Sequence, residues 1–166
     1  MTEHTERAVA ARVPTLIDEG LSLVSRREPL TVRPGASLRD CLAVIRRSGV
    51  GDSVVVTDRD GRLVGILTER DIFGQLVGTG VDLDQPVETF MNAKPHTLRP
   101  DGTVRDAIEL MQTGRFRNIP IVDGKGVLVG IVRQADILSY LAEAFPEELL
   151  NLPPRPHIAA AESEGA

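Results

Sequence analysis

The chain contains one twelve-residue segment twice, and that duplication limits what it can fold into. Gly61-Arg62-Leu63-Val64-Gly65-Ile66-Leu67-Thr68-Glu69-Arg70-Asp71-Ile72 returns as Gly126-Val127-Leu128-Val129-Gly130-Ile131-Val132-Arg133-Gln134-Ala135-Asp136-Ile137, at an offset of 65. In each copy a turn glycine leads into a short apolar run of strand type. A second glycine interrupts that run where a neighbouring backbone can approach closely. Thr68 then stands at a helix N-cap, where its hydroxyl accepts from the free amides of the first turn, and Asp71 completes a capping box. Amide dipoles, a hydroxyl and a carboxylate are thus gathered at the strand end. Such a corner suits a ligand carrying both hydroxyls and phosphate.

The duplication extends upstream. Pro29-Leu30-Thr31-Val32-Arg33-Pro34 matches Pro95-His96-Thr97-Leu98-Arg99-Pro100, and Ser37-Leu38-Arg39-Asp40 matches Thr103-Val104-Arg105-Asp106, both at an offset of 66. Loss of one residue, assigned to the second hairpin turn, brings the offset to 65. Leu38, Leu42 and Ile45 share one face of the first helix, as Val104, Ile108 and Met111 do in the second, and Gly49 and Gly114 fall near the helix ends. The strands Ser53–Thr57 and Ile119–Val122 follow, each joined by a hairpin to the next strand. Each copy therefore reads strand–helix–strand–strand–helix. Two copies are too few for a solenoid and too small to be stable apart, so they are expected to pack face to face.

The expected organisation is a tail and lead-in helix over 1–22, repeats over 23–80 and 81–145, and a C-terminal segment with a disordered tail over 146–166. With 3% aromatic residues, the core must be filled by Val, Ile, Leu and Ala. The formal charge of −5 argues against nucleic acid or an anionic membrane as the main partner. The lone Cys41 excludes an intramolecular disulfide and reads as a buried thiol. No apolar run approaches the ~20 residues of a membrane span, and the N-terminus lacks a signal core, so the expected location is cytoplasmic. His4, His96 and His157 are scattered, without metal-ligand spacing. No nucleophile–base pair is present in the pattern. Neither an enzyme, nor a metal, nor a required cofactor is expected.

The pattern resembles a tandem pair of cystathionine-β-synthase (CBS) domains, of the stand-alone bacterial type. Three motifs carry the resemblance in each copy: the Thr-hydrophobic-Arg-Pro entry, the apolar middle strand, and the Gly-x-x-Thr-x-x-Asp exit. The resemblance covers Leu23 to Leu141 and implies an α+β fold of two β-α-β-β-α motifs about a pseudo-twofold axis. It also implies a non-catalytic regulatory module that binds an adenosine nucleotide (AMP, ADP, ATP or a related adenosyl ligand) and signals to an unidentified protein partner. A homodimer is implied as well, favoured by the apolar exit helices. The alternative is a constitutive scaffold subunit with degenerate clefts.

Carried over residue by residue, the resemblance places Thr68, Asp71, His96, Thr97, Arg117, Ile119 and Pro120 at a first ligand cleft. It places Leu30, Thr31, Ser53, Val54, Arg133 and Asp136 at a second. A carboxylate accepts two hydrogen bonds from a ribose diol, strand backbone reads the adenine edge, and a cation with helix-terminal amides meets the phosphate. Asp71 also reads as a plain capping residue, His96 as an exposed residue at a strand start, and Arg117 as a solvated charge. In the second exit motif Arg133 replaces the hydroxyl, so it either rewards a longer polyphosphate or plugs its own cleft.

Overall fold

The computed structural model describes residues 15–49, 53–76 and 80–145. The expectations for residues 1–14 and 146–166 lie outside these. The first repeat comprises β1 (Thr31–Val32), α1 (Leu38–Ser48), β2 (Ser53–Thr57), β3 (Leu63–Thr68) and α2 (Glu69–Leu76). The second comprises α3 (Val104–Gly114), β4 (Asn118–Val122), β5 (Leu128–Arg133) and α4 (Gln134–Ala144). β1 runs parallel to β2, and β2 antiparallel to β3; β4 and β5 form the matching antiparallel pair. In place of a leading strand, the second repeat has a single parallel bridge between Leu98 and Ile121.

Local chemistry sets the helix starts. Ser37 and Thr103 each form a reciprocal capping box, with Asp40 and Asp106, in the pattern read from the sequence. At the other ends the two helices differ. Gly49 adopts φ 68° after α1, whereas Arg115 takes the left-handed position after α3, at φ 54°. Gly114 is instead the last helical residue, and a Cβ there would lie 1.9 Å from the Phe116 ring. The helix caps are thus 66 apart, while the strands that follow are 65 apart. The lost residue lies between helix and strand, not in the hairpin turn. Strand register accordingly matches Ser53 with Asn118, Val54 with Ile119 and Val55 with Pro120 across the repeats.

The cores are interlocked. Leu38 N donates to Gln85 O and Val87 N to Ala36 O, so the 81–92 segment closes the first repeat. Sixty-six residues away, Val104 N donates to Glu19 O and Leu21 N to Gly102 O, so the lead-in segment closes the second. Leu21 and Val24 pack with Val104, Ala107, Ile119 and Val132, and Val87 and Phe90 pack with Leu38, Cys41, Val54 and Leu67. Each fully buried Val or Leu contributes about 1.5–3 kcal/mol by leaving water. Cys41 belongs to this core, and burial pushes its thiol up to about 11, so it stays protonated at neutral pH.

The repeats meet about an approximate twofold axis. Leu63 N donates to Gly126 O, and Leu128 N donates to Gly61 O, the same pair of bonds with the repeats exchanged. Val55, Ile66 and Ile131 fill the apolar seam behind them. β3 and β5 therefore begin side by side, and each exit corner lies at the far end of its strand, at Thr68 and Arg133.

Candidate functional site

A cavity of about 400 Å³ opens beside the first exit corner. The first repeat supplies Thr68, Glu69, Arg70, Asp71 and Phe73, the 81–92 segment supplies Asn92, and the rest of the second repeat His96, Phe116, Arg117 and Asn118. Its position follows from the fold, because β3 delivers the capped start of α2 to its far end, where the loop between α3 and β4 faces it.

Asp71 does two things here. Its Oδ2 accepts from the Thr68 amide at 2.9 Å and the Thr68 hydroxyl at 2.6 Å, while its own amide donates back to Thr68 Oγ1 at 3.4 Å. Among the described residues no group bonds to Oδ1. The capping and ligand readings of Asp71 are therefore compatible, since one oxygen serves each.

The opposite wall is aromatic. The His96 and Phe116 rings lie 4.8 Å apart and tilted by 36°. Gly114 leaves room for Phe116 to fold back over the end of α3, which turns the ring toward the cavity. Among the described residues Asn118 Oδ1 is buried with no hydrogen-bond partner, as is Ser53 Oγ at the matching place in the first repeat. A ligand N–H or O–H would satisfy such an acceptor. Arg70, Arg115 and Arg117 stand around the mouth, and the Arg70 guanidinium donates to the Arg115 carbonyl at 3.5 Å. None of the three pairs with a carboxylate among the described residues.

Of the residues assigned to this cleft from sequence, the structure brings Thr68, Asp71, His96 and Arg117 together. Thr97 is exposed on the entry segment, and Ile119 and Pro120 are buried in β4 without lining the cavity. Phe116, Asn118, Asn92 and Phe73 were not anticipated. The Gly114–Phe116 pair is the local signal that could have found the aromatic wall, since a Cβ at Gly114 would meet the Phe116 ring.

The second corner is built differently. A cavity of about 270 Å³ is lined by Arg27, Arg117, Arg133, Gln134, Asp136 and Leu138. Arg133 Nη1 lies 3.5 Å from Asp136 Oδ2, and Arg27 Nε lies 3.7 Å from Oδ1. Arg133 also donates to the Glu28 carbonyl at 3.3 Å. Thr31 is exposed, Leu30 half-buried, and Ser53 and Val54 buried, and none of them lines this cavity. Among the described residues no cluster of His, Cys, Asp or Glu is arranged to hold a metal, and no helix is long and apolar enough to cross a membrane.

The family model for the CBS domain matches twice, over residues 21–78 and 87–143. The chain belongs to the CBS-domain family. Its two repeats are a CBS pair, and the α+β architecture with paired exit corners is that of the family. An uncharacterized protein of Methanopyrus kandleri is 34% identical over 130 residues, which is 76% of this chain and 66% of that protein. A CBS-domain-containing protein of Agrobacterium tumefaciens has a structure with TM-score 0.64 at 33% identity, covering 72% of this chain and 90% of that one. A CBS domain protein of Pyrobaculum aerophilum, solved in complex with AMP, superposes with TM-score 0.66 at 30% identity, covering 75% of this chain and 99% of that one.

Proposed function

We propose that this CBS pair is a non-catalytic sensor that binds an adenosine nucleotide in the cavity at Asp71. The observation that carries the reading is the open Asp71 Oδ1, set in a cavity to which both repeats contribute. A carboxylate oxygen to which no described residue bonds is the acceptor that a ribose diol needs. The His96–Phe116 wall offers an apolar face to a base, and Arg70, Arg115 and Arg117 offer cations to phosphate. The AMP complex of the Pyrobaculum aerophilum relative supports the ligand class. Because the ligand touches both repeats, it favours whichever relative packing fits it better, and that difference in affinity is what a partner protein would read.

The test is thermal denaturation with AMP, ADP, ATP and S-adenosylmethionine. Binding to the folded state alone raises the melting temperature in proportion to the logarithm of ligand concentration above saturation. A melting temperature unmoved by millimolar concentrations of every ligand would remove the sensor reading and leave the scaffold.

The same reading includes a homodimer. Phe73 on α2 is 64% exposed and Leu138 on α4 is 62% exposed, at matching positions of the two exit helices. Large apolar side chains projecting from equivalent helices favour self-association through that face. Light scattering at micromolar concentration should report a dimer, and Phe73→Glu combined with Leu138→Glu should report a monomer. A wild-type monomer would overturn this part.

A further inference from the structure

The two cavities share a wall. Arg117 lines both, and its carbonyl accepts from Gln134 N at 2.8 Å, which seats the first turn of α4 against the loop that ends at Arg117. The corners themselves are opposite in character. At Asp71 one carboxylate oxygen is open. At Asp136 both oxygens face guanidinium groups, Arg133 at 3.5 Å and Arg27 at 3.7 Å, so a ribose diol would have to displace an internal cation. What the second cavity does offer is donors: Arg117, with no carboxylate partner among the described residues, and the remaining N–H groups of Arg27 and Arg133. Among the described residues the cavities together carry five arginines (27, 70, 115, 117, 133) against three carboxylates (69, 71, 136), in a chain of formal charge −5. A local excess of guanidinium against an acidic background is a site for an extended anion.

We propose that the Asp136 cavity is a phosphate-tail subsite and not a second nucleoside site. The nucleoside of a single ligand sits at Asp71, its phosphates pass Arg117, and the terminal phosphates meet Arg27 and Arg133. The ligand class is a nucleoside di- or triphosphate, one per chain. This rests on the reading of the Asp71 cavity as a nucleotide site.

Titration calorimetry with AMP and with ATP, in the absence of divalent cations, tests it. The wild type should bind one ATP per chain, about tenfold or more tighter than AMP, the gain expected of added charge-assisted hydrogen bonds. Arg27→Gln with Arg133→Gln should bring the ATP-to-AMP affinity ratio close to one. If that double variant does not fold, Arg27→Gln alone, on a side chain 54% exposed, should still lower the ratio. Two ATP bound per chain, equal affinities for AMP and ATP, or a ratio unchanged in the variants would each overturn the subsite. AMP bound without an ATP preference defeats only this inference, whereas no binding of either nucleotide defeats the nucleotide reading as well.

Discussion

Asp71→Asn should weaken adenosine-nucleotide binding by ~1.5–3 kcal/mol, the range for hydrogen bonds to charged groups. The geometry explains why the loss falls on the ligand. Asn can keep its carbonyl oxygen where Oδ2 accepts from the Thr68 amide, which preserves the cap. Its NH2 then replaces Oδ1 and presents donors to the ribose hydroxyls where an acceptor is needed. Apo stability should fall by only ~0.3–1 kcal/mol, the worth of a carboxylate charge at a helix start. A residue that only capped the helix would give the reverse, with affinity intact and the loss confined to stability. Asp136→Asn should cost no nucleotide affinity, because its oxygens face Arg133 and Arg27 and not the ligand. Calorimetry on both variants, with denaturant melts of their apo forms, separates these cases. Wild-type affinity in Asp71→Asn would sink the assignment of the cavity.

The parts of this molecule that sequence reveals are those set by neighbours in the chain. The capping pairs Ser37/Asp40, Thr68/Asp71 and Thr103/Asp106 are contacts three residues apart, and all three form. The exit corner could therefore be placed before its surroundings were known. What surrounds it depends on packing between segments far apart in sequence. Nothing near Leu21 announces that it closes the second repeat, or near Phe90 that it closes the first. The one-residue slip had a local cause that pattern matching hid. Gly49 and Gly114 look equivalent, but Arg115 occupies the left-handed position and Gly114 is kept small by the Phe116 ring. That slip shifted the strand residues assigned to the second cleft and concealed Phe116. Arg133 was visible as a departure, yet its contacts with Asp136 and Glu28 O became evident only once the 25–28 segment was placed beside it.

Gly65→Ala should destabilise the fold by ~1–3 kcal/mol, the cost typical of forcing extra volume into a packed interior. A Cβ at Gly65 would lie 2.5 Å from Met91 Sδ and 2.8 Å from the Asn92 carbonyl oxygen. The sulfur can swing away, but the carbonyl is held. Asn92 O accepts from Ile66 N at 3.0 Å, and Asn92 N donates to Ile66 O at 2.8 Å, so Asn92 cannot retreat without breaking a backbone pair. The matching Gly130 meets a side chain instead, Ser25 Oγ at 2.6 Å, and that hydroxyl bonds both the amide and the carbonyl of Ile131. Gly130→Ala can be relieved by rotating Ser25, at the cost of those two bonds, so it should be the milder of the two. Ile66 and Asn92 both line the Asp71 cavity, which gives the Gly65 variant a second consequence. Displacing Asn92 moves the cavity wall, so nucleotide affinity should fall along with stability, whereas Gly130→Ala should leave the Asp71 cavity intact. Denaturant melts and calorimetry on the two variants test this pairing. A Gly65→Ala protein as stable as wild type would show that the 91–92 segment is not held against β3 as described.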